Sequence, residues 1–281
     1  MDRNLKEILQ KHGFSFKKAF GQNFLTDQSL LEDIVLKAGV TKNDTVLEIG
    51  PGAGALTKVL CDNAKKVVCY EIDTKLKPVL EDVLYGKTNV EVIFKDVLKE
   101  KMSDIEKKLG ESYFVVANLP YYITTPIVMN FLENAKKVKA MVIMVQEEVA
   151  LRFSAKPGTP DYGAITVGIN LKGNAEVIKK VGREMFTPMP NVDSAVVKIN
   201  VDNNKFKGVN YDDVRNAVRI GFSSRRKMLV NNLMNSLKLD RLTAENILAS
   251  ANIDLKSRGE VLSEIDYINL SNAIATIGDD K

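Results

Sequence analysis

The sequence predicts a doubly wound α/β domain with a mostly parallel sheet over residues 1–200, followed by a small all-helical carboxyl-terminal domain over residues 201–281. Three observations predict it. Between residues 45 and 145 short apolar, β-branched runs alternate with helix-length segments, the pattern of βαβ units. A glycine-rich turn follows the first run directly. From about residue 201 the apolar residues change to helical spacing. A chain of 281 residues has room for one such domain and an appendage, since single cores stop growing at roughly 250 to 300 residues.

The strands are TVLEI (45–49), KVVCY (66–70), VEVIF (90–94), YFVVA (113–117) and AMVIMV (140–145). Their near-continuous apolar character suits strands covered on both faces, and the lengths between them suit right-handed helical crossovers. QEEVALRF (146–153) reads as a helix, PGTPDYG (157–163) as a turn, and AITVGINL (164–171) as either helix or strand. AEVIKKV (175–181) and SAVVKIN (194–200) read as late strands, joined by FTPMPNVD (186–193), whose prolines argue against regular structure. In the tail, Val214, Ala217, Val218 and Phe222 share one helix face, with Asp212 and Asp213 in the favourable first turn. Further helices are predicted over 224–237, 243–251 and 263–276, the last opened by Ser263 as a cap with Asp266 three residues on.

Composition narrows function by exclusion. With 45% hydrophobic and 27% charged residues the chain is an ordinary globular one, and no apolar run is long enough to span a membrane. The opening MDRNLKEILQKHGF lacks the apolar stretch and cleavage site of a signal peptide, so a cytoplasmic protein is expected. Cys61 and Cys69 form no C-x-x-C pair and are expected to be reduced, buried hydrophobes; no metal site is expected. His12 is the only histidine, which removes schemes pairing a histidine base with a serine or cysteine nucleophile unless His12 itself serves. A net charge of +4 leans only weakly towards a nucleic-acid partner.

EIGPGAGALT (48–57) is a glycine-rich turn between the first strand and a helix, where a ligand can approach the backbone. Gly50, Gly52 and Ala55 also satisfy the dinucleotide fingerprint G-x-G-x-x-A, so NAD binding is a competing reading. Pro51 has no N–H to offer a pyrophosphate, which favours S-adenosylmethionine, a cofactor without phosphate. Glu71, at the end of the second strand, is placed to hold ribose hydroxyls of either cofactor. Asp96 and Asn118 stand at the carboxyl ends of strands three and four, the ends that line the ligand crevice of an open α/β sheet. Asp96 can accept from an adenine amine, and Gly50 leaves room for the methionine end. Taken singly, Glu71 or Asp96 could equally be a solvated cap or ion-pair partner.

Asn118-Leu119-Pro120-Tyr121 suggests the chemistry. An aromatic amine is a poor nucleophile because its lone pair is delocalised into the ring. A catalyst must accept hydrogen bonds from its N–H groups and aim that lone pair at an electrophilic methyl. The Asn118 amide oxygen and the Leu119 carbonyl can do so, Pro120 stiffens the turn, and Tyr121 offers a face for a base lifted out of the RNA. No general base is needed, because the amine acidifies as the methyl arrives. The bland alternative is a proline turn with a core tyrosine.

These segments resemble the ribosomal RNA adenine dimethyltransferase family, in its bacterial small-subunit (16S rRNA) branch. FKKAFGQNFLTD (16–27), EIGPGAGALT, NLPYYITTP (118–126), VQEEVALRF (145–153), PGTPDYG, FTPMPNVDSAVV (186–197), FSSRRKML (222–229) and RGEVLS (258–263) resemble family blocks in the family's order. The resemblance implies a Rossmann-like class I methyltransferase and transfer of two methyls to each of two neighbouring adenines near the 3′ end of 16S rRNA, within an immature small ribosomal subunit. It also implies that Asn23 and Leu25 close over the cofactor beside Gly50, Glu71, Asp96 and Asn118. Phe186 would stack on the target adenine opposite Tyr121, the alternative being a core aromatic beside a proline-rich loop. Tyr122 stands where many members carry asparagine, and nothing mechanistic is expected to turn on it.

For the RNA, clustered cations are the expected footprint. Arg225, Arg226 and Lys227 are predicted at a helix start, Arg215 and Arg219 share a face at i and i+4, and Lys17 and Lys18 lie near the cofactor entrance. Residues 201–281 hold twelve Lys and Arg against eleven Asp and Glu, so any basic surface there comes from clustering. A monomer is expected. The competing readings are a large-subunit adenine methylase of the macrolide-resistance type, a non-catalytic rRNA-binding assembly factor, and the NAD-dependent oxidoreductase. Intact cofactor and NLPY residues oppose the second, and the absence of a hydride-transfer acid/base pair opposes the third.

Overall fold

The computed structural model describes residues 3–13, 24–25 and 27–279. The order of elements is α1 (Arg3–Lys11), β1 (Phe24–Leu25), α2 (Gln28–Ala38), β2 (Thr45–Ile49), α3 (Ala55–Asn63), β3 (Lys66–Glu71), α4 (Lys77–Val83), β4 (Val90–Phe94), α5 (Met102–Leu109), β5 (Tyr113–Asn118), α6 (Thr124–Asn134), β6 (Val138–Gln146) and α7 (Glu147–Phe153). There follow α8 (Ala164–Lys172), β7 (Gly173–Val181), β8 (Phe186–Thr187), β9 (Ser194–Val201), α9 (Tyr211–Gly221), α10 (Leu229–Leu237), α11 (Arg241–Ser250) and α12 (Glu264–Asp279). Among the described residues no helix is long and apolar enough to cross a membrane.

The main sheet runs β4-β3-β2-β5-β6-β9-β7. β2 to β6 pair in parallel and β9 runs antiparallel to β6, so the doubly wound, mostly parallel α/β fold is as the sequence predicts. Val46, Leu47, Val67 and Val68 are fully buried because helices cover both faces of the central strands. β4, at the edge, is only half-buried along its length. β8 departs from expectation: Phe186 and Thr187 form a two-residue ladder with β1 despite the prolines that follow.

The chain forms two compact units, residues 1–150 with 175–201, and residues 151–174 with 202–281. The helical unit is thus larger than the 201–281 segment marked off by sequence, because 151–174 packs with it. AITVGINL resolves as the helix α8, since Val167 and Leu171 join a core with Val214, Leu233 and Tyr267, and packing decides where local pattern is ambiguous.

The helix predicted from 224 begins at Leu229. The Asn232 amide donates to the carbonyls of Gly221 (2.9 Å) and Ser224 (3.2 Å), holding 222–228 as a turn, so the basic cluster precedes the helix. α12 has the predicted cap: the Ser263 N–H donates to Asp266 (2.8 Å) and the Asp266 N–H to Ser263 (3.2 Å). Gly259, in the RGEVLS segment, lies so close to Gly221 that a Cβ there would sit 2.3 Å from the Gly221 carbonyl oxygen. Gly259→Ala is expected to cost the fold about 1–3 kcal/mol in denaturant unfolding, because backbone cannot yield as a side chain does.

Candidate active site

The sheet order turns between β2 and β5: the chain moves outward through β3 and β4, then returns to the other side of β2. At such a switch point the loops diverge and leave a crevice at the strands' carboxyl ends. A cavity of about 280 Å³ occupies it, and Gly50, Glu71, Asp96 and Asn118, from the ends of four strands, all line it. Leu25, Leu119, Pro120 and Tyr121 line it as well.

The turn after β2 holds three glycines with positive φ, Gly50, Gly52 and Gly54, and the first two bear on the cavity. Gly50 (φ 70°) has open space where a Cβ would stand, so a ligand can lie against the backbone. Gly52 (φ 56°) is pressed by the Phe24 ring, 2.6 Å from its hypothetical Cβ, which seats β1 over the turn. Glu71 is buried and braced: Oε1 accepts from the Asp73 N–H (2.8 Å) and Oε2 from the Gly52 N–H (3.2 Å). Burial raises its pKa, opposed by those hydrogen bonds. Asp96 both lines the cavity and caps the short turn after β4, accepting from the Leu98 N–H at 3.0 Å.

Glu48, which sequence reasoning passed over, also lines the cavity. It is 1% exposed and accepts from the Cys69 thiol at 3.5 Å, and burial pushes its pKa up to about 7. An acid inside the otherwise apolar TVLEI was the available signal. Among the described residues the cavity therefore presents three acidic side chains, Glu48, Glu71 and Asp96, and its one lysine, Lys95, is paired with Glu100 at 3.1 Å. Those acidic acceptors suit a cationic sulfonium cofactor and oppose a pyrophosphate. The exposed Ile72 and Leu98 add apolar wall for a flat ring.

The Asn118–Tyr121 turn is fastened at several points. The Pro120 carbonyl accepts from the Ile123 N–H (3.1 Å) and the buried Thr124 hydroxyl (3.3 Å). The Tyr121 hydroxyl lies 2.9 Å from that of Ser194, 1% exposed at the start of β9. Leu119 buries its side chain, leaving its backbone as the part that can serve the site. Neither Thr124 nor Ser194 carried a sequence signal, since their partners are set by the fold.

Phe186 is not brought to this cavity. It is 4% exposed in a buried cluster with Leu25 and Val196, pairing with Leu25 across the β1–β8 ladder. Asn23, Lys17 and Lys18 lie outside the described residues. In the helical unit Arg215 pairs with Asp212 (3.1 Å) and Arg219 donates to Asn216 (3.0 Å), both exposed on α9. Arg225 donates to the carbonyls of Pro160 (2.9 Å) and Tyr162 (2.8 Å), tying down the PGTPDYG turn, while Arg226 and Lys227 are exposed. Among the described residues no group of His, Cys, Asp and Glu side chains converges as a metal ion would require.

A family model described as ribosomal RNA adenine dimethylase matches residues 13–270. The chain is 45% identical to a ribosomal RNA small subunit methyltransferase A of Anoxybacillus flavithermus, over 97% of this chain and 95% of that one. Among solved structures it resembles a dimethyladenosine transferase from Plasmodium falciparum, with TM-score 0.77, 28% identity and coverage of 91% and 98% of the two chains. It also resembles the 23S rRNA methyltransferase ErmE, with TM-score 0.69, 28% identity and coverage of 90% and 100%.

Proposed function

The chain belongs to the ribosomal RNA adenine dimethylase family, and from that premise we propose that it transfers methyl groups from S-adenosylmethionine to the exocyclic amines of two adjacent adenines near the 3′ end of 16S rRNA, dimethylating each during small-subunit maturation. The observation that carries this reading is that the Asn118–Tyr121 turn lines the same acidic cavity as Gly50, Glu71 and Asp96.

The cofactor supplies, when bound, an electrophilic methyl on a sulfonium sulfur. Gly50 gives its methionine end room along the backbone, Glu71 takes the ribose hydroxyls, and Asp96 accepts from its adenine amine. Leu25 lines the cavity, and Asn23 would close over the cofactor beside it. The Asn118 amide oxygen and Leu119 carbonyl accept from the target amine and aim its lone pair, with Tyr121 under the base and the proton leaving to water. Phe186 would take the other face of that base, a role that requires its buried ring to be uncovered. No step needs a metal. The reading includes a monomer that acts in the cytoplasm.

The helical unit is assigned to the rRNA through Arg215, Arg219, Arg225, Arg226 and Lys227, with Lys17 and Lys18 from the amino-terminal segment. Because Arg225 also holds the 157–163 turn, the cleaner probe is Arg226→Glu with Lys227→Glu. That pair is expected to weaken subunit binding and reduce its salt slope by about one for each phosphate no longer neutralised, with cofactor affinity unchanged. The substrate is tested with labelled S-adenosylmethionine, offering immature small subunits or large-subunit rRNA and mapping the modified base. Label in large-subunit RNA alone would overturn the assignment in favour of the resistance-type methylase.

A further inference from the structure

Adjacent tyrosines after Pro120 stand in opposite situations. Tyr121 is half-buried, with its hydroxyl held by Ser194. Tyr122 also lines the cavity, yet is 64% exposed. Its backbone is not loose: the turn Tyr121–Ile123 is closed by the Ile123 N–H on the Pro120 carbonyl and backed by Thr124 on the same oxygen. A flat ring with two rotatable bonds is thus presented to solvent at the cavity mouth from a fixed turn. Met189 (62%) and Val192 (43%), on the segment that leads into Ser194, are exposed as well.

A base drawn into the cavity leaves its neighbour in the RNA at this mouth, with one stacking partner gone. Unstacking opposes entry of the target, and an aromatic face one nucleotide away offsets that cost for any base, since every base has a π-face. We propose that the Tyr122 ring is a stacking subsite for the nucleobase flanking the target adenine. It rests on the RNA adenine reading above and adds to it: the flanking base, itself a target in the other register, is held by Tyr122 while its neighbour is methylated. Contrary to the expectation from sequence, Tyr122 then has a role in substrate capture.

The test uses the full chain, unmethylated small subunits and labelled S-adenosylmethionine, with Tyr122→Ala, Tyr122→Asn and Tyr122→Phe. The alanine and asparagine variants should raise KM for the subunit about 10- to 100-fold, with kcat changed far less and cofactor affinity as in the wild type, while phenylalanine restores KM. Subunits reconstituted with an abasic flanking nucleotide should raise KM for the wild type but add little to the alanine variant. An unchanged KM in the alanine variant, or equal penalties from the abasic nucleotide in both proteins, overturns the subsite while leaving the methylation reading intact. Failure of the wild type to label any small subunit would sink the methylation reading itself, and the subsite with it.

Discussion

Asn118→Ala is expected to lower methyl transfer by about 10²- to 10³-fold while leaving cofactor affinity within a few-fold of the wild type, the usual cost of removing one preorganised hydrogen-bonding group aimed at developing charge. Asn118 ends β5 at the switch point, where it lines the cavity while its backbone stays in the sheet opposite Met144. The strand, the Thr124–Pro120 hydrogen bond and the Tyr121–Ser194 pair hold the turn whether or not the amide is present. The loss should therefore fall on the rate, because the target amine becomes a competent nucleophile only as its N–H groups are drawn towards acceptors. Asn118→Asp keeps an acceptor oxygen and should recover a substantial part of the activity. Single-turnover rates and calorimetric titration of the cofactor separate the two effects. A parallel collapse of cofactor binding in Asn118→Ala would make the residue structural.

Glu71→Ala is expected to act on the other quantity, weakening cofactor binding by at least about 10²-fold, since hydrogen bonds to a charged group contribute roughly 1.5–3 kcal/mol each. Two ribose hydroxyls would lose their acceptor. The Gly52 and Asp73 N–H groups would also lose theirs, so the glycine turn that lies along the cofactor would loosen. Glu71→Gln retains acceptor capacity at one atom but turns a second donor towards donors, and should recover only part of the affinity. Thermal unfolding with and without cofactor distinguishes site damage from global unfolding: the variant should melt cooperatively yet lose most of the ligand-induced shift. A normal shift with lost activity would remove Glu71 from cofactor binding.

Much of this site is legible in the sequence because it is made of strand ends. Parallel strands in a doubly wound sheet bring their carboxyl ends to one edge, so Gly50, Glu71, Asp96 and Asn118, scattered over some seventy positions, become neighbours once the strands are recognised. Local chemistry sufficed for the rest of that frame: β-branched runs for β2 to β6, positive-φ glycine after β2, a Ser263–Asp266 cap before α12. Glu48 is harder to read, since an acid in a buried strand gains meaning only when its neighbours are known.

What the sequence by itself determined is therefore the fold class and the meeting of Gly50, Glu71, Asp96 and Asn118 at one cavity, both of which follow from local period and from one topological rule. Tertiary structure alone decided that Ser194 anchors Tyr121, that Phe186 is buried beside Leu25, that Arg225 fastens the 157–163 turn, and that α8 is a helix packed with 202–281. Each joins residues tens of positions apart by packing or a single hydrogen bond. Such pairings are selected by the free energy of the assembled core and leave no periodicity in the chain for a reader to find.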